Sequence, residues 1–305
     1  MLLRLTLTTW CLFGMAFAAW DAHDTLAPTH TVVRGLAQDD WTTGAQDRTA
    51  LGVTSYYGWG MDCTDATRAA GCVDMNRDWV LPQSLCTSQL LLGNEPNSGE
   101  LAGHPIAASV AASITVAIKA QCPDTQLVST NIYMDPCSDP SWNDPTTCPI
   151  AWLSVYFAAY KQLTGHDYGT VPNPDGRTDA LGVHFYCVHL TAAPGTGEAP
   201  APCLDALRAL EQMPNLPQLW VTETGMYGDS GLALWPQWLT DLSNDPRVRE
   251  VFAFTNRWID CGCTMLDLVA PDGTLTPRGQ AYRDWLAVSW QAWLPSIASG
   301  TAGYP

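Results

Sequence analysis

Apolar residues along this chain gather into short runs that alternate with longer stretches of helical period. The runs are TVVRGL at 31, LGVTSYYGWG at 51, DWVLPQ at 78, QLLLGNEP at 89, QLVSTNIY at 126, ALGVHFYC at 180, QLWVTETG at 218 and VREVFAFTNRW at 248. Each is rich in β-branched and aromatic residues and ends on turn-forming or polar ones, so each predicts a strand. Between them HPIAASVAASITVAIKAQ from 104, IAWLSVYFAAYKQLTG from 150, CLDALRALEQ from 203 and LALWPQWLTDL from 232 place apolar residues at helical spacing. RGQAYRDWLAVSWQAWL, beginning at Arg278, predicts a closing helix. Alternating strands and helices imply a parallel sheet. Eight such units close into a (β/α)8 barrel, also called a TIM barrel; an open doubly wound sheet is the competing arrangement, and the glycine fingerprint of a dinucleotide-binding turn is absent.

A length of 305 residues suits one barrel, and neither an internal repeat nor the Pro/Gly/Ala stretch TAAPGTGEAPAP at 191 divides the chain. The first twenty residues, MLLRLTLTTWCLFGMAFAAW, read differently. One arginine, an apolar segment too short to span a bilayer and small residues at Ala16 and Ala18 predict a secretory signal over 1–18, with a membrane anchor as the alternative. The domain expectation is therefore a signal over 1–18 and one barrel over 19–305, in a secreted protein, or a periplasmic one if the source is bacterial.

The cysteines agree with export. Of eleven, Cys11 falls in the leader, which leaves an even number for an oxidised chain. Spacing suggests bridges Cys63–Cys72, Cys137–Cys148 and Cys187–Cys203, with Cys86, Cys122, Cys261 and Cys263 left open. A metal held by Cys261 and Cys263 lacks a second ligand pair at zinc-site spacing, so no metal is expected. A formal charge of −16 with only two lysines, Lys119 and Lys161, excludes nucleic acid as a partner and disfavours anionic membranes and polyanionic sugars. No stable membrane contact is expected once the leader is lost, and a monomer is expected.

Chemistry should stand at the C-terminal ends of barrel strands. Glu95 ends LLLGNEP, Glu223 ends LWVTETG, His184 and Tyr186 end LGVHFY, Tyr57 and Trp59 end TSYYGWG, and Asn256 with Trp258 ends FAFTNRW. The two glutamates fall on strands three apart. Carboxylates facing across a cleft suit glycoside hydrolysis, in which one is a protonated acid and the other an ionised nucleophile. Asn94 is placed to meet a sugar 2-hydroxyl, and His184 and Tyr186, at i and i+2 on one strand face, to orient the second carboxylate. His30, His104, His166 and His189 lack such context. Serine-hydrolase chemistry lacks its G-x-S-x-G elbow, cysteine nucleophiles lack a spare thiol, and PDGTLTPRG at 271 is a turn rather than a calcium loop. The fourteen Trp and ten Tyr are many for this length, and ring faces stack on sugars, although many of the Trp must simply be core.

GNEPN and LWVTETG resemble the strand ends of clan A glycoside hydrolases. Within that clan VVRGLAQDD, SYYGWG, LLLGNEPN, LGVHFYC, LWVTETG and DGTLTPRGQAY, in that order, are most similar to the glycosyl hydrolase catalytic core proteins of family 128, whose known members act on β-1,3-glucans. The resemblance covers most of the chain beyond the leader. It implies an endo-acting, secreted, retaining hydrolase of poly- or oligosaccharides that needs no cofactor, with Glu95 as acid/base and Glu223 as nucleophile. Asn94, His184, Tyr186 and Trp258 follow as supporting or sugar-binding positions, and Trp59, Tyr57 and Asn131 are further candidates at strand ends. Members of that family more often carry Asn at Gly58, a bulky residue at Gly93, Asp at Asn97 and Phe at Thr224, departures expected to surround the catalytic centre and to bear on linkage. A clan A hydrolase of β-1,4-glucan, mannan or galactan, or a carbohydrate-binding barrel without turnover, stands as the alternative.

Overall fold

The computed structural model describes residues 31–38, 42–59, 63–79, 86–98, 105–134, 148–186, 201–226, 228–257 and 266–285. Eight parallel strands follow the chain: β1 (Val33–Ala37), β2 (Ser55–Tyr57), β3 (Asp74–Asn76), β4 (Gln89–Leu92), β5 (Gln126–Tyr133), β6 (Ala180–Tyr186), β7 (Gln218–Gly225) and β8 (Val248–Phe254). β8 returns to β1 and pairs in register from Val33–Glu250 to Ala37–Phe254. Hydrogen-bonded neighbours run β2-β1-β8-β7-β6-β5-β4-β3, which leaves one seam. Tyr56 closes it, donating its N–H to Gly71 O at 3.0 Å and accepting from Val73 N–H at 2.8 Å. The result is the (β/α)8 barrel, not the open sheet.

Around it lie α1 (Gly44–Leu51), α2 (Asp65–Ala69), α3 (Ala108–Gln121), α4 (Pro149–Thr164), α5 (Ala201–Glu211), α6 (Gly228–Asn244) and α7 (Pro277–Asp284). Seven of the eight expected strands match. The exception is DWVLPQ: the third strand begins four residues before Asp78, at Asp74–Asn76, and Trp79 turns the backbone into left-handed space with φ 57°. Residues 80–83 of that run lie outside the described residues. The closing helix ends at Asp284, and the remainder of its expected span is likewise outside, as are the leader, His30, His104 and His189. PDGTLTPRG is a turn: Asp272 Oδ1 accepts from Thr274 N–H at 2.9 Å, and Thr276 caps α7 through Gly279 N–H.

Hardware concentrates at the seam. Cys63–Cys72 is a disulfide there, and Arg68 grips the buried Asp74 through Nε at 2.6 Å and Nη2 at 2.9 Å. A second bridge, Cys86–Cys122, ties the approach to β4 to the end of α3, a pairing left open by spacing alone. Cys148 and Cys203 are also disulfide-bonded, while Cys137, Cys187, Cys261 and Cys263 lie outside the described residues.

The strand period of two sorts side chains onto two faces. Ala37, Tyr57, Val73, Leu91, Val128, Ala180, Trp220 and Phe252 fill the barrel. Leu90, Leu92, Leu127, Leu181, Leu219 and Val251 face outward to Trp152, Tyr156, Leu207 and Trp238 of the helices. Burial of each such aliphatic side chain contributes roughly 1.5–3 kcal/mol. Glu250, two residues before Phe252 on the same face, lies beneath the inner layer with one oxygen, Oε1, lacking a partner among the described residues. Ser55 bonds to the carboxyl, yet burial pushes it up to about 7.

Two outcomes follow for stability. A methyl at Gly71, where φ is 93°, would sit 1.7 Å from Thr54 O, so Gly71→Ala should cost about 2–4 kcal/mol in chemical denaturation by springing the seam. Glu250 is raised above its unfolded value, so the folded state holds the extra proton and stability is lost as pH rises from about 4.5 to about 7. Glu250→Gln should remove that loss, gaining up to about 3 kcal/mol at pH 8 and little at pH 4.5, read from denaturation at both pH values.

Candidate active site

The end of β4 is shaped by close approach. At Gly93 φ is 86°, and a Cβ there would lie 2.2 Å from Cζ2 of Trp79. The Trp79 indole thus takes the space that a bulky side chain at position 93 would need. Two residues on, Glu95 itself has φ 46°, a conformation that costs a non-glycine residue about 1 kcal/mol or more and so marks a constrained position. β5 imposes it: Glu95 N–H donates to Asn131 O at 3.0 Å, and Asn131 Nδ2 donates to Gly93 O at 2.8 Å. Asn97 then exchanges a pair of bonds with the Tyr133 backbone, donating to its O at 2.9 Å and accepting from its N–H at 3.1 Å.

Glu223 reaches the lumen by a different device. Strict alternation from the inward Trp220 would send Thr222 inward and Glu223 outward. The pairing slips instead: Val183–Val221 is followed by His184–Glu223 on one side, and Val221–Val251 by Thr224–Ala253 on the other. One extra residue, Thr222, is absorbed in β7, and such bulges re-aim the side chains after them. Glu223 therefore turns in, while Thr224 turns out to accept from Trp238 Nε1 of α6 at 2.9 Å.

The carboxylates meet across His184. Its Nδ1 lies 3.0 Å from Glu95 Oε1 and 3.4 Å from Glu223 Oε2. Tyr186 donates to Glu223 Oε2, and Tyr57 Oη lies 3.1 Å from Glu223 Oε1 and 2.8 Å from the Thr222 carbonyl. His184 Nδ1 and one oxygen of each glutamate all fall within 4.8 Å of one another. Such a trio has the dimensions of a metal site, but both Glu223 oxygens already face phenolic donors, which suits an anion held by hydrogen bonds.

Burial sets the charges. Glu95 is pushed up to about 7 by desolvation. Glu223 is raised by burial as well, but His184, Tyr186 and Tyr57 oppose the shift. These donors favour negative charge on Glu223, whereas burial favours the neutral, proton-bearing form of Glu95. Burial lowers His184 and keeps it neutral, and it raises Tyr57 so that its phenol remains a donor.

Glu95, Glu223, His184, Tyr186 and Tyr57 thus converge as expected, with one reassignment: His184 stands nearer Glu95 than Glu223. Asn94 is buried beside Glu95. Asn131, expected to face the sugar, is fully buried and reaches the site only through the backbone of Gly93 and Glu95. Asn256 donates to Asp47 Oδ2 at 3.0 Å behind the rim. Trp258 lies outside the described residues. Of the four departures, Thr224 faces a helix, Gly93 is backed by Trp79, and Asn97 braces β5. Sequence reasoning missed Tyr133 and Phe254. Ring centroids link Tyr133 to Tyr186 at 6.1 Å, Tyr186 to Phe254 at 5.8 Å, Phe254 to Trp59 at 5.4 Å and Trp59 to Tyr57 at 5.5 Å. Tyr133, Tyr186, Phe254 and Trp59 are partly exposed and form an arc at the mouth. Phe254 shares the period-two face of Phe252, the signal that could have found it.

Fold and site together define a (β/α)8 barrel with two buried carboxylates at the C-terminal strand ends. No family model and no curated protein matches the sequence. Among solved structures the chain is similar to a GH128 subgroup II endo-β-1,3-glucanase from Sorangium cellulosum, at 24% identity and TM-score 0.57 over 82% of this chain and 97% of that one. A GH128 subgroup I endo-β-1,3-glucanase from Amycolatopsis mediterranei, solved with laminaritriose, matches at 16% identity and TM-score 0.58 over 83% and 99%. A GH128 subgroup VI exo-β-1,3-glucanase from Aureobasidium namibiae matches at 18% and TM-score 0.54 over 83% and 96%. The barrel is the fold these proteins share.

Asn97→Asp would take away the donor to Tyr133 O and set a carboxylate against that carbonyl. It should lower stability by about 1–2 kcal/mol at neutral pH in urea titrations.

Proposed function

We propose that this protein is a retaining glycoside hydrolase that cleaves β-1,3-glucan, with Glu95 as acid/base and Glu223 as nucleophile, and that it acts outside the cell after loss of residues 1–18. The observation that carries the reading is the spacing across His184, within 4.8 Å between oxygens of the two glutamates. Retaining enzymes hold their carboxyls about 5–5.5 Å apart, whereas inverting ones leave about 6.5–9.5 Å for a water. The substrate class rests on the shared barrel and on the Amycolatopsis enzyme, which was also solved with laminari-oligosaccharides after replacement of either of two glutamates.

In the first half-reaction Glu95 gives its proton to the glycosidic oxygen while Glu223 attacks the anomeric carbon and the glycosidic bond breaks. Water then displaces Glu223, with Glu95 taking the proton that water loses. Two inversions restore the starting anomer. The arc of Tyr133, Tyr186, Phe254 and Trp59 offers ring faces to the C–H faces of the glucan.

Glu95→Gln and Glu223→Gln should each lower kcat on laminarin about a thousandfold or more with the fold retained in circular dichroism. The first product seen by NMR should keep the β configuration. In the wild type kcat/KM should fall as pH rises through about 7, where Glu95 loses its proton, and that limb should vanish in Glu95→Gln. Full turnover by either variant, or an α first product, would sink the reading.

A further inference from the structure

We propose that His184 is a positioning residue for both carboxylates, its single Nδ1–H shared between Glu95 and Glu223, with the stronger hydrogen bond passing from one to the other as negative charge moves between them. The inference rests on the retaining reading for its role in turnover, but its structural part stands on the resting protein alone.

The tautomer follows from satisfaction of buried groups. Nδ1 faces oxygens of both glutamates at 3.0 and 3.4 Å, whereas the buried Nε2 faces no partner among the described residues. A buried N–H without an acceptor costs more than an unfilled lone pair, so the proton belongs on Nδ1. The two carboxyls that face the ring come from separate strands, Glu95 after β4 and Glu223 of β7, and the titratable groups behind Glu223 are Tyr57 of β2 and Tyr186 of β6. Tyr186 spends its O–H on Glu223, and Tyr57 divides its single O–H between Glu223 and the Thr222 carbonyl. Glu95 receives its side-chain hydrogen bond from His184, so among the described residues the imidazole is the donor for Glu95.

This has two chemical consequences. With Oε1 accepting from Nδ1–H, the acidic proton of Glu95 is left to Oε2, which fixes the oxygen that meets the glycosidic bond. During the first half-reaction the Glu95 proton passes to the leaving oxygen as a C–O bond forms at Glu223 and the glycosidic C–O bond breaks. The carboxylate charge thereby moves from Glu223 to Glu95. The Nδ1–H stays on His184 throughout and strengthens its bond to whichever partner is anionic, because hydrogen bonds to ions are about twice as strong as neutral ones. A water attack reverses the transfer. An imidazolium would bind both carboxylates at once and hold Glu95 ionised, so the neutral ring is required for acid catalysis.

The test uses the full-length protein labelled with 15N-histidine and 13C-carboxyl glutamate. Above about pH 6.5 the His184 ring should show a protonated Nδ1 and an unprotonated Nε2; a proton on Nε2 would overturn the proposal. His184→Leu should raise the carboxyl titrations of both Glu95 and Glu223 by about one pH unit. Asn presents its amide N–H near the place of Nδ1 and Gln near that of Nε2, so His184→Asn should restore both titrations and His184→Gln should not. Equal behaviour of the Asn and Gln variants would overturn the shared donor even if the Leu variant fails to fold. In turnover, both limbs of the pH profile of kcat/KM should move in His184→Gln and return in His184→Asn; a uniform loss at every pH would refute the handover. A chain with the expected titrations that cleaves no glucan refutes the hydrolase reading instead.

Discussion

One extra residue in β7 decides where the Glu223 carboxylate points. Strand geometry gives side chains a period of two, and an inward Trp220 would otherwise commit Glu223 to the helix face. Absorbing Thr222 in a bulge reverses that, and three features depend on it at once. The carboxylate enters the lumen, the Thr222 carbonyl turns to meet Tyr57, and Thr224 faces Trp238 on α6. A matching slip in β5 sets Asn131 against the end of β4 and fixes Glu95. The site is thus built from two irregularities in an otherwise regular wall.

Closing the wall matters because it dries the ground beneath the site. Tyr57, Trp220 and Phe252 fill the lumen, so that Glu95, Glu223 and His184 sit in a medium that disfavours charge. Such burial alone would raise both glutamates alike. What separates them is the distribution of donors, with two phenols on Glu223 and an imidazole closer to Glu95. Two identical side chains thereby meet different donors, which oppose the burial shift at Glu223, while Glu95 is pushed up to about 7.

The arc of partly exposed rings from Tyr133 to Trp59 belongs to the same construction, since Tyr186 is at once a ring in the arc and a donor to Glu223. Under the proposed function, contact with a sugar ring is thereby linked to the orientation of Glu223. The departures from the resembling family take on separate meanings in this frame. Thr224 lies behind the wall, Asn97 ties the Glu95 loop to β5, and Gly93 makes room for Trp79. Of these, the Gly93–Trp79 exchange alters the shape beside Glu95 most directly.

Local pattern was enough to determine the barrel, seven of its strands, four of the outer helices and the glutamates at strand ends, because apolar periodicity and strand-end chemistry are written residue by residue. It failed at β3, a three-residue strand without an apolar run, and at Tyr133 and Phe254, which lie inside strand runs with nothing local to single them out. Pairing of Cys86 with Cys122 needed the helix and strand to be placed in space. So did the inward turn of Glu223, for a bulge is a mismatch between neighbouring strands and has no signature in either one. The chain by itself named the two carboxylates; only the tertiary structure decided that they face each other across one imidazole, since that depends on register, burial and groups brought from four different strands.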